Sequence, residues 1–340
     1  MILPQLLYYQ THTINMDNQV TIIGSGIAGL SAAIYAARAG NDPLVIHGDE
    51  PGGQLTLTSD VANYPGFPEG VGGSELIQKM TKQAEKFGTE FEHGTVNSIR
   101  KINNIFTIDL ENGDSFDTSA VIVASGASAR TLGIPGEDEL MGYGLSTCAT
   151  CDGAFFRDEE MAVIGGGDAA LEEAEFLTKF ASKVYLIHRR EEFRGSEYLQ
   201  NELSDKVEKG EIEVLKNTEV TELIGSKKDG IDYIKLVQNE EGYPTDKLDD
   251  EDTERFDLDV NAVFFAIGHT PNSSYLEDTD VKLDDNGYVK IRGGLDYGSM
   301  ETDVDGIFAA GDIVDYQYQQ AATASGMGVK AALDVDNYLD

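Results

Sequence analysis

The chain has 340 residues, enough for two cores, and a hydrophobic fraction of 41% that excludes wholesale disorder. Its 61 acidic residues against 25 basic ones give a formal charge of −36, which argues against a nucleic-acid partner because phosphates would be repelled. Acid spread through many segments reads as a solvating surface suited to a salt-rich cytoplasm, and no stretch reaches the roughly eighteen uninterrupted apolar residues that span a bilayer.

Residues 1–19 begin mildly apolar but hold no Lys or Arg, unlike a secretory leader, and are expected to form a disordered extension, with Met16 an alternative start. The pattern sharpens at a short apolar strand, Val20–Ile23, followed by Gly24-Ser25-Gly26-Ile27-Ala28-Gly29 and a small-residue helix over Leu30–Ala39. In a strand–turn–helix of this kind Gly24 permits the tight turn, Gly26 lets backbone N–H groups approach a pyrophosphate, and Gly29 lets helix and strand pack closely. A second strand, Pro43–His47, ends where an acidic residue ordinarily holds an adenosine ribose; here it is His47, with Asp49 and Glu50 just beyond. The unit closes on an apolar strand ending Ala124-Ser-Gly126.

Cys148 and Cys151 are the only cysteines in the chain. Four-thiolate zinc needs a second pair, and a structural disulfide would close too short a loop to remove much unfolded-state entropy. The pattern favours a dithiol that cycles, one sulfur attacking a disulfide and its neighbour resolving the intermediate, over an inert cysteine pair.

The strand–turn–helix then returns, as Met161–Ile164, Gly165-Gly-Gly167-Asp168-Ala169-Ala170, a helix over Leu171–Phe180 and a strand over Lys183–Ile187, closing on Val263–Gly268. Glycine turn and closing strand have almost the same separation in both copies, so the fold is α/β with two related Rossmann-like domains. Only the second copy carries His188-Arg189-Arg190 with Arg194, at the strand end where a ribose 2′ position should lie. Guanidinium forks match phosphate, so this copy is expected to select NADPH over NADH. The first copy lacks such a cluster, and a flavin, able to take hydride and pass electrons to sulfur, is its natural occupant. The acidic stretch from Asn239 to Asp259 is expected to be a surface hairpin or loop.

Taken together, Gly24–Gly29, Pro51-Gly52-Gly53-Gln54-Leu55, Asn63-Tyr-Pro-Gly66, Cys148-Ala-Thr-Cys151-Asp152, Gly165–Ala170, His188–Arg190 with Arg194, and Ala310-Gly311-Asp312 resemble the low-molecular-weight thioredoxin reductases, from Val20 onward. The resemblance implies an FAD domain of 20–131 with 271–340, and an inserted NADPH domain of 132–270 that carries the cysteines. It implies that FAD is held by Gly24, Ser25, Gly26, Ala28, Gly29, His47, Gly52, Gly53, Gln54, Leu55, Asn63, Gly126, Gly311, Asp312, Gln320 and Ala321. NADPH would be held by Gly165, Gly167, Asp168, Ala169, His188, Arg189, Arg190 and Arg194. Cys151 would face the flavin, Cys148 would attack a thioredoxin-like small redox protein, and Asp152 would supply the proton. Burial against thiols and flavin would raise the Asp152 pKa into a useful range, although an Asp before Gly153 also suits a plain turn. A cytoplasmic homodimer is expected, with neither nucleic acid nor membrane as partner, and with domain rotation hinged at Gly133-Ile-Pro135 and Gly268–Pro271. Three positions depart from the family pattern: His47, Ile27 where Pro is common, and Gln319 where Arg usually precedes Gln-Ala. A peroxide-reductase arm would carry an additional thioredoxin-like segment with another Cys-x-x-Cys, and a ferredoxin reductase would lack the pair. A non-enzymatic redox sensor that binds nucleotides and signals through Cys148 and Cys151, and a reductase or oxidase of small disulfides, are the remaining alternatives.

Overall fold

The computed structural model describes residues 18–57, 61–292 and 299–340, so the expected N-terminal extension lies outside the described residues except for Asn18 and Gln19. The chain divides into two compact units, one built from residues up to Leu55 with Leu76–Gly126 and Pro271–Asp340, the other from Thr56–Glu75 with Ala127–Thr270. The first break therefore falls at 126/127 rather than at 131/132, and Thr56–Glu75 groups with the second unit. A physical reason lies in the bonds made just past the break. The Arg130 N–H donates to the Gly268 carbonyl at 2.9 Å, and the Leu132, Gly133 and Ile134 amides converge on Glu137 Oε2 at 3.1, 2.9 and 3.3 Å. Gly133-Ile-Pro135 is thus fastened inside the second unit.

The first unit is organised on a five-stranded parallel sheet in the order Ile307–Ala309, Ala120–Val123, Val20–Ile23, Pro43–His47, Glu90–His93. Its inner strands are apolar runs broken only by Thr21, as a sheet covered on both faces requires. An antiparallel meander of Val96–Ile102, Ile105–Leu110 and Ser115–Thr118 contributes Phe106, Ile108 and Leu110 to a core with Leu44, Ile46, Val121 and Val123. The helix Ile27–Ala39 packs against the C-terminal helix Ala321–Leu339 at a crossing of small residues. A Cβ on Gly328 would lie 2.1 Å from the Ala28 carbonyl oxygen, and the Ser31 and Ser325 hydroxyls bond at 2.8 Å.

The second unit repeats the plan: Ile212–Lys216, Lys183–His188, Glu160–Ile164, Ala262–Phe265 and Leu145–Ser146 form a parallel sheet with the glycine-turn strand again in the middle. Strand alternation separates its two cores. Ala162, Ile164, Val263 and Phe265 pack with residues of a second antiparallel meander, Thr218–Ser226, Gly230–Gln238 and Glu254–Asp259. Met161, Val163, Ala262 and Phe264 face the other way, with Leu171, Ala174 and Leu177 of the helix Asp168–Leu177. The acidic stretch from Asn239 is a loop with one 3₁₀ turn at Pro244–Lys247 and then, from Glu254, a strand of this meander.

Candidate functional site

In the first unit the glycine turn works as its spacing predicts. A Cβ on Gly24 would lie 2.3 Å from the Ala124 carbonyl oxygen, and one on Gly29 only 1.9 Å from the Gly24 carbonyl oxygen, so both serve close approach of backbone. A Cβ on Gly26 or on Gly126 would meet nothing, which leaves that side clear for a ligand. The Gly52 amide donates to Ser25 Oγ at 2.9 Å, drawing the 51–55 turn and its short 3₁₀ segment Gly53–Leu57, which carries Gln54, onto the glycine turn beside Ala28. His47 lies at the end of its strand with its ring centroid 5.4 Å from that of His93, and Asp49 is taken up by His93 at 3.1 Å. Asn63 belongs to the Thr56–Glu75 segment of the second unit.

The loop after Ile307–Ala309 brings Gly311 and Asp312 to the same helix start. A Cβ on Gly311 would lie 2.8 Å from Ala28 Cβ. Asp312 Oδ1 is sealed from solvent and has no hydrogen-bond partner among the described residues, while burial, with help from Asp315, pushes the carboxyl up to about 7. A sealed acceptor with nothing to accept from fits a ligand hydroxyl such as those of a ribityl chain. Asp315 shapes the loop by accepting the Gln317 and Tyr318 amides at 3.1 and 2.8 Å, which sets Gln319 at φ +48° and Gln320 as the residue capping Ala321–Leu339. These residues fit FAD, which supplies on binding a two-electron carrier between nicotinamide and sulfur.

In the second unit a Cβ on Gly165 would lie 2.4 Å from the Ala266 carbonyl oxygen, whereas Gly167 faces open space. Asp168 Oδ1 accepts the Ser196 amide at 2.6 Å, and the Gly166 carbonyl accepts the Arg194 amide at 2.7 Å, so the arginine loop is tied to the glycine turn beside Ala169. His188 is buried beneath Gly166; burial, then the charges of Arg190, Arg194 and Arg189, lower its pKa and oppose the Glu192 carbonyl bond. Among the described residues neither Arg189 nor Arg190 pairs with a carboxylate, and Arg190 Nε is sealed without a partner. Unpaired guanidinium groups in so acidic a chain fit the 2′-phosphate of NADPH.

Cys148 and Cys151 form a disulfide with Cα atoms 5.3 Å apart. Cys148 caps the short helix Ala149–Asp152, its amide held by Ser146 Oγ at 3.0 Å and its Sγ 3.3 Å from Thr150 Oγ1. That helix rests on Asp168–Leu177: Ala149 is fully buried, and a Cβ on Gly153 would lie 2.4 Å from Leu177 Cδ2, so a side chain there would displace the end of Leu177. One turn before Leu177, Glu173 accepts the Ala149 N–H with one carboxyl oxygen and keeps Oε2 sealed and unpartnered. Burial pushes this carboxyl up to about 8, against the pull of the Ala149 amide.

Residues 18–328 match the family model of pyridine nucleotide-disulphide oxidoreductases. The chain belongs to the pyridine nucleotide-disulphide oxidoreductase family. It is 46% identical to a thioredoxin reductase from Mycolicibacterium smegmatis over 95% of this chain and 96% of that one. A protein of Pseudomonas fluorescens named glucosaminate ammonia-lyase is 44% identical over 95% of this chain and 96% of its own. The crystal structure of thioredoxin reductase from Streptococcus pyogenes superposes with a TM-score of 0.84 at 34% identity, covering 96% and 99% of the two chains. Within the oxidoreductase family this chain is a thioredoxin-disulfide reductase that uses FAD and NADPH and passes electrons through its cysteine pair to thioredoxin or a similar small redox protein.

The sequence reading missed Ser146, Glu173 and Tyr243. Glu173 is the second residue of a Glu-Glu pair, and only the helix phase relative to Ala170, Ala174 and Leu177 marks it as inward-facing. Tyr243 offered a weaker signal, an aromatic between Gly242 and Pro244 in an acidic run.

Proposed function

We propose that the reductase divides its work among three sites, the Gly24–Gly29 and Asp312 surface for FAD, the Gly165–Ala170 and His188–Arg194 surface for NADPH, and the cysteine helix for the protein substrate. Cys148 attacks one sulfur of the thioredoxin disulfide as a thiolate; a mixed disulfide forms, and the departing sulfur takes a proton for which Asp152 is the donor. Cys151 then attacks Cys148 Sγ, the mixed disulfide breaks, and reduced thioredoxin leaves while the enzyme pair returns to the disulfide. The observation that carries the reading is the Cys148–Cys151 disulfide, held at a helix start in a unit whose neighbouring loop presents uncompensated arginines. Supporting the flavin assignment is the sealed, unpartnered oxygen of Asp312. We further propose a cytoplasmic homodimer, for which sedimentation at twice the chain mass is the expected result; among the described residues no helix is long and apolar enough to cross a membrane.

Cysteine variants test the division of labour. Cys148→Ser and Cys151→Ser should each lose turnover with thioredoxin, by at least about a thousandfold, because attack and resolution need two thiols. Cys151→Ser should trap thioredoxin as a stable mixed disulfide, and trapping by Cys148→Ser instead would reverse the assignment. Ammonia release from glucosaminate without any reduction of thioredoxin would overturn the reading altogether.

A further inference from the structure

We propose that Tyr243 positions the guanidinium groups of Arg189 and Arg190 for the 2′-phosphate of NADPH and so helps to set dinucleotide preference. The inference rests on the reading that the His188–Arg194 cluster receives that phosphate. Both guanidinium carbons lie 5.1 Å from the centroid of the one Tyr243 ring. An aromatic face attracts guanidinium through its quadrupole but carries no net charge. It can therefore fix two cations close together without neutralising them, which a carboxylate would do before any phosphate arrived.

The surrounding groups favour that division. Glu191, the carboxylate next in the chain, is drawn off by Lys216 at 3.2 Å and by Asn217 Nδ2 at 2.8 Å, and Glu241 is held by Lys247 at 3.0 Å. Backbone ties deliver the ring to its place. The Tyr243 amide donates to the Arg189 carbonyl at 2.9 Å, the Asn217 amide reaches the Arg190 carbonyl at 3.3 Å, and Asn217 Nδ2 holds the Glu240 carbonyl at 3.1 Å. Tyr243 itself adopts φ +50°, and a Cβ on Gly242 would lie 3.1 Å from the Arg189 carbonyl oxygen. A loop that accepts a left-handed tyrosine and presses a glycine against the arginine backbone is shaped to hold that contact. Among the described residues the phenol hydroxyl has no hydrogen-bond partner, so the ring face is the working part.

The test is calorimetric binding of adenosine 2′,5′-bisphosphate and of adenosine 5′-monophosphate to the intact flavoenzyme. Tyr243→Leu removes the ring, and Tyr243→Asn does so with a residue at ease at positive φ, so one variant stands if the other misfolds. Each should bind the bisphosphate about tenfold more weakly, with monophosphate binding unchanged, and Tyr243→Phe should match the parent. Arg189→Gln with Arg190→Gln should lose more. Parent-like bisphosphate binding by the Leu and Asn variants beside a weakened arginine variant would overturn the role of Tyr243 and leave the phosphate site standing. Equal losses for both ligands, or a loss in Tyr243→Phe as large as in Tyr243→Leu, would also overturn it. An arginine variant with parent affinity would remove the phosphate site and the inference with it.

Discussion

The two glycine turns share a backbone device and differ at its rim. In each, the first glycine is jammed against the carbonyl of the closing strand, at Ala124 in one unit and Ala266 in the other, while Gly26 and Gly167 leave open the side a pyrophosphate would approach. Beyond the second strand the first unit offers His47 and an Asp49 already engaged by His93, whereas the second offers arginines without carboxylate partners. On the proposed reading, dinucleotide binding belongs to the backbone shape that both units share, and the choice of dinucleotide to a few side chains at the strand end. Side chains of that kind can change without disturbing the sheet.

The strongest way to break this contrast is to erase the charged rim. Arg189→Gln with Arg190→Gln removes two charge-assisted contacts of roughly 1.5–3 kcal/mol each, so the ratio of kcat/KM for NADPH over NADH should fall at least about a hundredfold. An unchanged ratio would mean that the rim does not choose the dinucleotide. A smaller effect is expected in the other unit, where Asp312→Ala removes the sealed acceptor and should weaken FAD retention by roughly ten- to a hundredfold, measured as flavin lost on gel filtration. Full retention there would detach Asp312 from the flavin site.

Glu173 sharpens the comparison, because it is a buried carboxyl that accepts an amide of the cysteine helix within the second unit. Its folded pKa, about 8, stands above the ordinary 4.5, so the native state holds the extra proton between those values. The stability this contributes is present in full below about pH 4.5 and is lost as pH rises through about 8, at a slope of at most about 1.4 kcal/mol per pH unit. Glu173→Gln should flatten that slope in denaturant titrations at several pH values; a slope equal to the parent's would show that the carboxyl titrates normally. Smallest of all, the net charge of −36 repels itself at low ionic strength, so the melting temperature should rise by roughly 5 °C in molar potassium chloride. A flat or falling melting temperature would dismiss the reading of the surface as salt-adapted.

Val20–Ile23 and Pro43–His47 were legible because strands buried on both faces carry little that is polar, Thr21 in the one and His47 at the end of the other. The first helix was harder to place. It starts at Ile27 rather than Leu30, because the Gly26 carbonyl already accepts the Leu30 amide and Gly29 belongs to the first helical turn. Both antiparallel meanders escaped notice, since strands such as Thr218–Ser226 interleave charged and apolar residues with bulges that interrupt the alternation. Cys148, Arg189 and Asp312 announce themselves through residue type and spacing. Glu173 and Tyr243 do not, because what makes each of them distinctive is a neighbour far away in sequence: the Ala149 amide for one, the Arg189 backbone for the other.

The crossing of the first and last helices bears on the order in which the protein can be made. Ala127–Thr270 is nearly self-contained and leaves the ribosome as one run, so the second unit can consolidate early. The first unit waits. Its edge strand Ile307–Ala309 and the helix whose Gly328 seats on Ala28 are among the last residues synthesised, and until they arrive the helix behind the Gly24–Gly29 turn has an uncovered flank. A nascent chain released short of Ala321 would therefore carry a finished cysteine unit while the helix Ile27–Ala39 of the other still lacked its cover.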